Sequence, residues 1–553
     1  MTYVSYVTGS DQQTPMQWPV VLVCVAIANN AYGIEYLNVT LDAVQRQLED
    51  FKLRHPKPIG VLTTSAGSPV DVRETVTLNT DFFNSQYFWD LQTSIDKERI
   101  PQRVVHARGT GAFGYFEVTN DVSKYTKADV FNGIGKRTPA FVRFSYLIQG
   151  RDGLDVVRET GALVSKFYTN DGNLDFLSLS FPVFLYNSPH LLHPLNHAFK
   201  RNPKTYVIDS TARLDAISHT PEAIHQILWL LSDFGIFNGY RHMNAFPIHA
   251  YEIVNKHGDS YFVRFNFISE QGLELLSERA AVALRSNDPD YSNRDLYDAI
   301  AAGNYPSWRL DIDIIPKAHI TKLNYNPFDM GALWRNGTYH TVTIGRLVLN
   351  KNPDNNFKDS ELAAFNPGNL VPGIPGPVDD MFKARRFSYR DAQAHRLGIN
   401  HNNIEVNLPK YAKTYNRDGV PPVLDNMKDA PNYYQNLFNG PVPFVDVARP
   451  KESPMIKFRQ STDLGESAYF YNTYVNTEGK RTRLATNMAG IMVNAVEEAQ
   501  KEWLRIMYLV DRDLGARVEA ALPLAEAQKI LSRPRLVLVE ENPKTYDLVP
   551  NCQ

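Results

Sequence analysis

The sequence predicts an α+β fold in which a mostly antiparallel barrel or closed sheet carries inserted helices. Between about residue 100 and residue 350, short stretches alternate apolar and polar side chains with the two-residue period of a half-buried strand. Helical periodicity interrupts these stretches and dominates the C-terminal part of the chain. With 553 residues, 43% of them apolar, the chain can bury a large core and form more than one domain.

Individual strands and helices follow from these periods. The strand pattern is clearest at residues 114–119, 140–145, 260–266 and 339–344. Helices are predicted at residues 41–53, at 221–232 with Thr220 as the N-cap, at 379–397, and from 484 to about 522. Residues 400–455 are dense in Pro, Asn and Tyr, which predicts a long irregular segment over the surface of the main domain.

The overall charge excludes several classes of partner. A net charge of −2 and a pI near 6.7 give no reason to expect binding to nucleic acid or to a membrane. The two cysteines, Cys24 and Cys552, suggest no disulfide framework, and we expect a cytoplasmic protein. The apolar stretch at 19–28 is too short to span a bilayer. A peroxisomal location is the alternative, although residues 551–553 do not form the Ser-Lys-Leu address.

Two motifs have better structural than functional explanations. Residues 109–114 match G-x-G-x-x-G, but a second strand follows instead of a helix, so we interpret them as a tight glycine turn between strands. His190, His193 and His197 have the spacing of metal ligands. We expect Pro189 and Pro194 to break any helix that would align them, and we favour structural hydrogen bonding over a zinc site.

Arg385 and Tyr389 lie four residues apart on one face of the predicted helix at 379–397. A guanidinium beside a phenol favours the phenolate, which is an anionic ligand suited to ferric iron. An ordinary surface pair is the alternative at this spacing. His106 lies just before the glycine motif, where it can be an acid–base catalyst or a core histidine.

Nine segments, taken together and in order, resemble the haem catalase family. They are residues 62–67, 99–119, 134–139, 166–173, 241–244, 303–308, 326–329, 385–389 and 430–434. The resemblance covers about residues 60–440. It implies a catalase fold with an antiparallel eight-stranded β-barrel. The implied organisation is an N-terminal arm (1–60), a haem-binding barrel domain (61–395), a wrapping segment (396–455) and a C-terminal helical domain (456–553). A homo-oligomer, either dimer or tetramer, is implied as well.

The resemblance also implies a haem b site. Tyr389 matches the axial ligand of the iron, with Arg385 hydrogen-bonded to it, and His106 matches the distal histidine, oriented by Ser145. Val105 matches the residue that narrows the peroxide channel, and Phe184 an aromatic near the haem. The arginines that match those holding the haem propionates are Arg103, Arg143 and Arg396, in keeping with the chemistry of carboxylates.

On the distal side the chain departs from the family. Leu179 stands where the family has an asparagine that would hold bound peroxide, Leu192 replaces a phenylalanine, and Glu159 replaces a channel aspartate. Losing a positioned polar group costs several kcal/mol of transition-state stabilisation. The sequence therefore predicts slow dismutation of hydrogen peroxide.

The family's NADPH site is altered too. Phe234 and Ile268 replace the arginine and lysine that grip the phosphate, while Trp229 and Asn336 replace a phenylalanine and a histidine. The matching residues are His225, Ser232, Asn244 and Trp334. We expect no bound NADPH and an apolar substrate pocket suited to a flat aromatic molecule.

Three functions remain in contention. The first is a haem-dependent oxidative cyclisation of an indole-alkaloid precursor, because the altered sites resemble the catalase-like chanoclavine-I synthases of ergot-alkaloid pathways. Oxygen, superoxide or peroxide would be the oxidant. The second is dismutation of hydrogen peroxide. The third is a non-enzymatic haem-binding protein, which the presence of His106 and Ser145 disfavours.

Overall fold

The computed structural model describes residues 41–75, 82–421, 427–449 and 464–522. The apolar stretch at 19–28, the final residues and both cysteines lie outside them. The chain divides into two units, Met1–Arg54 and His55–Gln553. The boundaries expected at residues 60, 395 and 455 remain predictions.

In the first unit, the predicted helix at 41–53 is confirmed as α1 (Ala43–Arg54). A capping box starts it. The side chain of Asp42 accepts a hydrogen bond from the Gln45 N–H at 2.8 Å, and the side chain of Gln45 accepts one from the Asp42 N–H at 3.1 Å.

The second unit is built on one antiparallel sheet, and this confirms the predicted fold class. Its ten strands among the described residues are β1 (Gly109–Val118), β2 (Arg137–Tyr146), β3 (Gly161–Thr169), β4 (Gly172–Leu179), β5 (Phe246–Pro247), β6 (Tyr251–Val254), β7 (Ser260–Ser269), β8 (Ser307–Pro316), β9 (His340–Lys351) and β10 (Gly376–Pro377). The order across the sheet is β10-β6-β7-β8-β9-β1-β2-β3-β4-β5. Eight strands were expected; the two additional ones, β5 and β10, have two residues each.

The sheet curls back on itself beside β5. Ala245 and Phe267 exchange two backbone hydrogen bonds of 2.8 Å, which link this end of the sheet to β7. The enclosed core is formed mainly by aromatic and β-branched side chains that alternate along the strands, among them Phe116, Phe144 and Phe176. The four predicted strands are confirmed, and each is longer than its clearest sequence pattern.

The interpretation of residues 109–114 as a turn is wrong, because all three glycines lie inside β1. A Cβ at Gly111 would overlap the ring of Phe141, and one at Gly114 would overlap the carbonyl oxygen of Val348. These glycines therefore allow neighbouring strands and rings to approach the β1 backbone closely.

Helices surround the sheet. They are α2 (Gln86–Lys97), α3 (Leu192–Phe199), α4 (Ser210–Ser218), α5 (Ile224–Leu231), α6 (Glu278–Asn287), α7 (Tyr291–Ala301), α8 (Asp380–Leu397), α9 (Gly465–Thr473), α10 (Glu478–Met492), α11 (Glu497–Val510) and α12 (Arg512–Ala521). A 3₁₀ turn, Pro221–Ala223, precedes α5. Thr220 occupies the N-cap position as predicted, but its side chain makes no capping hydrogen bond, and its hydroxyl donates to the Ala216 carbonyl at 2.9 Å.

The expectation that proline would separate the three histidines is also wrong. Pro194 lies in the first turn of α3, where a missing N–H costs nothing, and His193 and His197 share that helix. All three histidines are exposed. Among the described residues no group of three or more His, Cys, Asp or Glu side chains gathers as a metal site.

The predicted irregular segment at 400–455 and the predicted helices from 484 to about 522 are confirmed in outline among the described residues. Residues 398–421 and 427–449 contain no strand and no helix beyond two 3₁₀ turns. Helices α9 to α12 follow, and their buried side chains pack around Trp503 in a core that also includes α5. Across the described ranges, no helix combines the length and hydropathy needed to cross a bilayer.

We predict that Gly114→Ala destabilises the protein by more than about 3 kcal/mol, since the new methyl group overlaps strand backbone that cannot move independently. Gly490→Ala is the matched control. Gly490 lies in α10 with open space at its Cβ position, so this change should stabilise by about 0.5–1 kcal/mol. Denaturant unfolding measures both; equal stability of the two variants would contradict the packing of β1.

Candidate active site

Helix α8 positions the predicted iron ligand. Asp379 caps the helix by accepting a hydrogen bond from the Phe382 N–H at 2.7 Å. Arg385 and Tyr389 then lie on one face, as the sequence predicts, with an Nη2–Oη distance of 3.5 Å. The guanidinium carbon is 5.4 Å from the centre of the phenol ring.

A hydrogen-bonded chain holds Arg385 in place. Its Nη1 donates to Nε2 of His249 at 2.7 Å, and Nδ1 of His249 donates to Asp379 at 2.9 Å. Burial and the positive charge of Arg385 lower the pKa of His249, although Asp379 opposes the shift. The histidine is therefore a neutral link between a carboxylate and a guanidinium.

Sequence analysis missed His249 and the second role of Asp379. His249 lies between β5 and β6, 130 residues away from Asp379, and nothing in the local pattern marks it. The position of Asp379 as an N-cap was the only signal, and it indicates a helix start without indicating a partner.

His106 is fixed at three points. Its N–H donates to the Leu147 carbonyl at 2.8 Å, its carbonyl accepts from Nη1 of Arg143 at 2.8 Å, and its Nδ1 lies 3.0 Å from Oγ of Ser145. The backbone φ of His106 is 61°, a left-handed conformation that is costly for a residue with a side chain. The surrounding contacts therefore hold this ring in one defined orientation.

The environment keeps the His106 ring neutral. Burial and the positive charges of Arg143, Arg385 and Arg103 lower the pKa of His106 to about 3. The effect of Arg385 also shows that the His106 side and the Tyr389 side of the site are within electrostatic range. The neutral tautomer that donates from Nδ1 to Ser145 leaves a lone pair on Nε2 that can accept a proton.

Of the three predicted propionate arginines, Arg103 and Arg396 contact the segment around Glu361, while Arg143 donates to the His106 and Ala107 carbonyls. Arg103 donates to the Glu361 carboxylate at 3.0 Å, and Arg396 donates to its backbone carbonyl at 2.6 Å. Arg151, which the sequence analysis missed, lies 3.2 Å from the same carboxylate. Burial and the charge of Arg103 lower the pKa of Arg396 to about 9 and that of Arg143 well below its ordinary value.

This cluster fits the carboxylates of a haem. The guanidiniums of Arg103, Arg151 and Arg396 lie 3.0, 3.2 and 3.8 Å from a single carboxylate, that of Glu361. The Nε atoms of Arg143 and Arg151 are buried without a hydrogen-bond partner among the described residues. Buried positive charge without compensation is unfavourable, so the site requires further anionic oxygens.

Comparison with known proteins agrees with this geometry. Residues 63–440 match the family model described as Catalase. The chain belongs to the catalase family. Rat catalase is 38% identical over 500 residues, which cover 88% of this chain and 95% of that protein. Mouse catalase is 39% identical over 480 residues, covering 85% and 91% of the two chains.

Solved structures of the catalase family are similar as well. A fungal catalase has a TM-score of 0.78 at 31% identity and covers 86% of this chain and 98% of its own. Catalase A from Saccharomyces cerevisiae has a TM-score of 0.77 at 31% identity, covering 84% and 99%. Family membership identifies the protein as a haem oxidoreductase.

Leu179 ends β4 and is 7% exposed. It belongs to an apolar cluster that includes Tyr186 and Met381, against which Phe184 and Leu192 also pack. Val164 packs both on this cluster and on the one that includes Tyr389, so Leu179 lies in the neighbourhood of the proposed ligand. No polar group replaces the family's asparagine at this position.

The two channel positions differ in environment. Val105 is half-buried beside His106. Glu159 is buried, and its carboxylate accepts hydrogen bonds from the Ile148 and Gln149 N–H groups and, at 3.0 Å, from Nε2 of Gln149. Burial raises the pKa of Glu159 to about 7. The Glu159 side chain therefore lies against Ile148 and Gln149, just after the end of β2.

The residues that match the family's NADPH site do not form the expected apolar pocket. Trp229 and Phe234 pack on each other, with 4.8 Å between ring centres, and α9 covers Trp229 with Phe470 at 4.7 Å. Ser232 donates to the Trp229 carbonyl at 2.8 Å, and Asn244 accepts from the Ser269 N–H at 2.9 Å. These side chains are therefore engaged in ring packing or in hydrogen bonds to the backbone, and they do not form the wall of an apolar pocket.

A cavity of about 180 Å³ does lie nearby, but its lining is mixed. Of the seven predicted pocket residues only Trp334 lines it, and Asn336, which stands at the family's histidine position, lines it too. The aromatic rings of the lining belong to Tyr339, Tyr469 and Tyr474. Its polar groups belong to Arg264, Asn266, Asp313 and Arg335. Ile268 is half-buried on β7 without lining the cavity, so the predicted apolar wall of Phe234 and Ile268 is wrong.

We predict that Tyr389→Phe abolishes haem retention or removes the ferric phenolate spectrum, because phenylalanine has no oxygen with which to bind the iron. Tyr411→Phe removes a hydroxyl from an exposed side chain and should leave haem content unchanged. The measurement is the haem-to-protein ratio with the absorption spectrum. Unchanged haem and spectrum in Tyr389→Phe would refute the assignment.

Proposed function

We propose that the chain binds haem b between Tyr389 and His106 and catalyses catalase-type oxidoreduction with hydrogen peroxide. The observation that carries this proposal is a pair of pre-organised groups within electrostatic range. One is the Asp379–His249–Arg385–Tyr389 chain, and the other is the neutral, strained His106.

Each group of the chain has a separate task. Bound haem would supply the redox chemistry. Tyr389 would ligate the iron as a phenolate, with its negative charge stabilised by Arg385. Nε2 of His106 would accept a proton from peroxide and return it to a departing oxygen, while Ser145 keeps the ring oriented. Arg103, Arg143 and Arg396 would pair with the propionates.

A second candidate function is the oxidation of an aromatic organic substrate, specifically the oxidative cyclisation of an indole-alkaloid precursor of the chanoclavine-I synthase type. The observation that favours it is Leu179, which puts an apolar side chain where dismutation benefits from an amide donor. Oxygen, superoxide or peroxide would be the oxidant. The substrate would bind in the haem channel or in the cavity beside Trp334.

We also propose a homo-oligomer, either dimer or tetramer. Several large apolar side chains in the irregular segment are exposed, with Leu437 at 95%, Val445 at 83% and Val447 at 93%. Apolar surface concentrated in this way is typical of protein–protein interfaces.

We predict that Leu179→Asn raises the rate of peroxide dismutation per haem by about tenfold or more, because a positioned hydrogen-bond donor contributes on this scale. Leu179→Met keeps an apolar side chain of similar volume and is the matched control. Oxygen evolution is measured beside product formation from an indole-alkaloid precursor. A natural protein already near the diffusional limit would favour the dismutating function, and absence of cyclised product would exclude the second candidate.

We predict that the purified protein carries haem without stoichiometric NADPH. A bound nucleotide phosphate needs cations or N–H donors. Phe234 and Ile268 supply neither, while Arg264 and Arg335 of the cavity are already bonded to backbone carbonyls and to Glu466. Nucleotide content after extraction is the measurement; one equivalent of NADPH per chain would contradict the prediction.

A further inference from the structure

His225 and Trp229 form a buried hydrogen-bonded pair on α5. They lie four residues apart, and both are largely shielded from solvent, at 2% and 6% exposure. Nε1 of Trp229 donates to Nε2 of His225 at 3.2 Å, while Nδ1 of His225 donates to the Gly331 carbonyl at 2.7 Å. These two bonds fix the tautomer of the imidazole, with its lone pair directed at the indole N–H.

The imidazole is neutral in its resting state, because burial lowers the pKa of His225 to about 4. A neutral imidazole held against an indole N–H can take that proton when the indole loses an electron, since oxidation makes the N–H strongly acidic. The pair therefore has the arrangement that proton-coupled oxidation of a tryptophan requires.

Trp229 is also surrounded by aromatic rings on both sides. The ring centre of Phe181 is 6.2 Å away, and that of Tyr474, the residue that follows α9, is 5.2 Å away. Tyr474 lines the cavity described above, together with Tyr469, whose ring centre is 6.5 Å from it. The ring of Tyr474 therefore lies between Trp229 and the cavity.

On its other side, Trp229 is continuous with the candidate active site. Phe181 follows Leu179 by two residues, and the apolar cluster of Trp229 meets the cluster of Leu179 through Leu185 and Phe199, which pack on both. Because the side chains that join the two clusters are apolar and packed on both, the path between the two sites is a low-dielectric one.

We propose that Trp229 is a redox-active residue that carries a single oxidising equivalent from the haem site to the cavity walled by Tyr474, with His225 as its proton acceptor. The proposal rests on the proposed function, because hydrogen peroxide reacting at the haem must supply the oxidising equivalent. It gives the cavity an oxidative role towards an electron-rich aromatic substrate.

The electrons and protons balance as follows. Hydrogen peroxide takes two electrons and two protons overall and leaves as two waters. In each single-electron step Trp229 would give one electron to the haem site, and its Nε1 proton would move to Nε2 of His225. An aromatic substrate in the cavity, directly or through Tyr474, would return an electron to Trp229 while His225 returns the proton. The substrate would lose one electron and one proton per step, and the protons of two such steps, released to solvent, balance the two that hydrogen peroxide takes up.

The test is freeze-quench electron paramagnetic resonance of the haem-loaded protein after addition of stoichiometric hydrogen peroxide, with haem absorbance recorded in parallel. Protein labelled with ring-deuterated tryptophan identifies a tryptophanyl signal by its narrowed lines. We expect a neutral tryptophanyl radical that disappears in Trp229→Phe. Phenylalanine keeps most of the packing against Phe470, so haem content should not change.

Two further variants make the result specific. Trp503→Phe removes another buried indole of the same core, whose Nε1 has no hydrogen-bond partner in the described part of the chain, and it should leave the signal intact. His225→Gln keeps a hydrogen-bond acceptor that cannot take a proton, and it should lower the yield of the neutral radical at least about tenfold.

An undiminished radical in Trp229→Phe would overturn the proposal, as would a tyrosyl radical lost only in Tyr186→Phe. Haem absorbance that changes with peroxide while no tryptophanyl radical forms would refute the relay alone. Haem absorbance that does not change would refute the proposed peroxide chemistry and the relay together.

Discussion

The interaction on which the site depends is the hydrogen bond between Arg385 and His249. It joins α8, whose N-cap is Asp379, to the segment before β6. Asp379 is the last member of this hydrogen-bonded series and accepts a hydrogen bond from His249. A guanidinium fixed in this way stays beside the Tyr389 hydroxyl, at 3.5 Å. The same charge is one of the causes that lower the pKa of His106 and keep its ring neutral. One fixed cation thus acts on both reactive side chains.

Buried positive charge is the second constraint. Arg103, Arg151 and Arg396 share one carboxylate, and the buried Arg143 donates to backbone carbonyls, so the protein is stabilised when further anionic oxygens enter the cluster. A cofactor with carboxylate groups supplies them, and its binding free energy then contributes to the stability of the fold. The left-handed backbone of His106 adds a local cost that the contacts of Arg143, Ser145 and Leu147 must offset.

The sequence predicted local pairs and missed distant ones. Arg385 with Tyr389 follows from helix spacing, and His225 with Trp229 has the same spacing, although only the structure shows the hydrogen bond between them. The partners Arg103 and Glu361 are 258 residues apart, and no periodicity connects them. The glycines of β1 were misread because a chain pattern does not distinguish a turn from a strand that must admit a neighbour's ring. The prediction of an apolar pocket was wrong for a similar reason. Phe470 of α9 and Tyr474, which follows α9, fill the space beside Trp229, and no local sequence pattern indicates this contact.

The most direct test of the account is an experimental structure of the haem-loaded protein. The account predicts that the iron is bonded to Oη of Tyr389, that His106 lies on the opposite face, and that the propionates pair with Arg103, Arg143 and Arg396. An iron ligated by any other side chain, or propionates placed away from the arginine cluster, would contradict it.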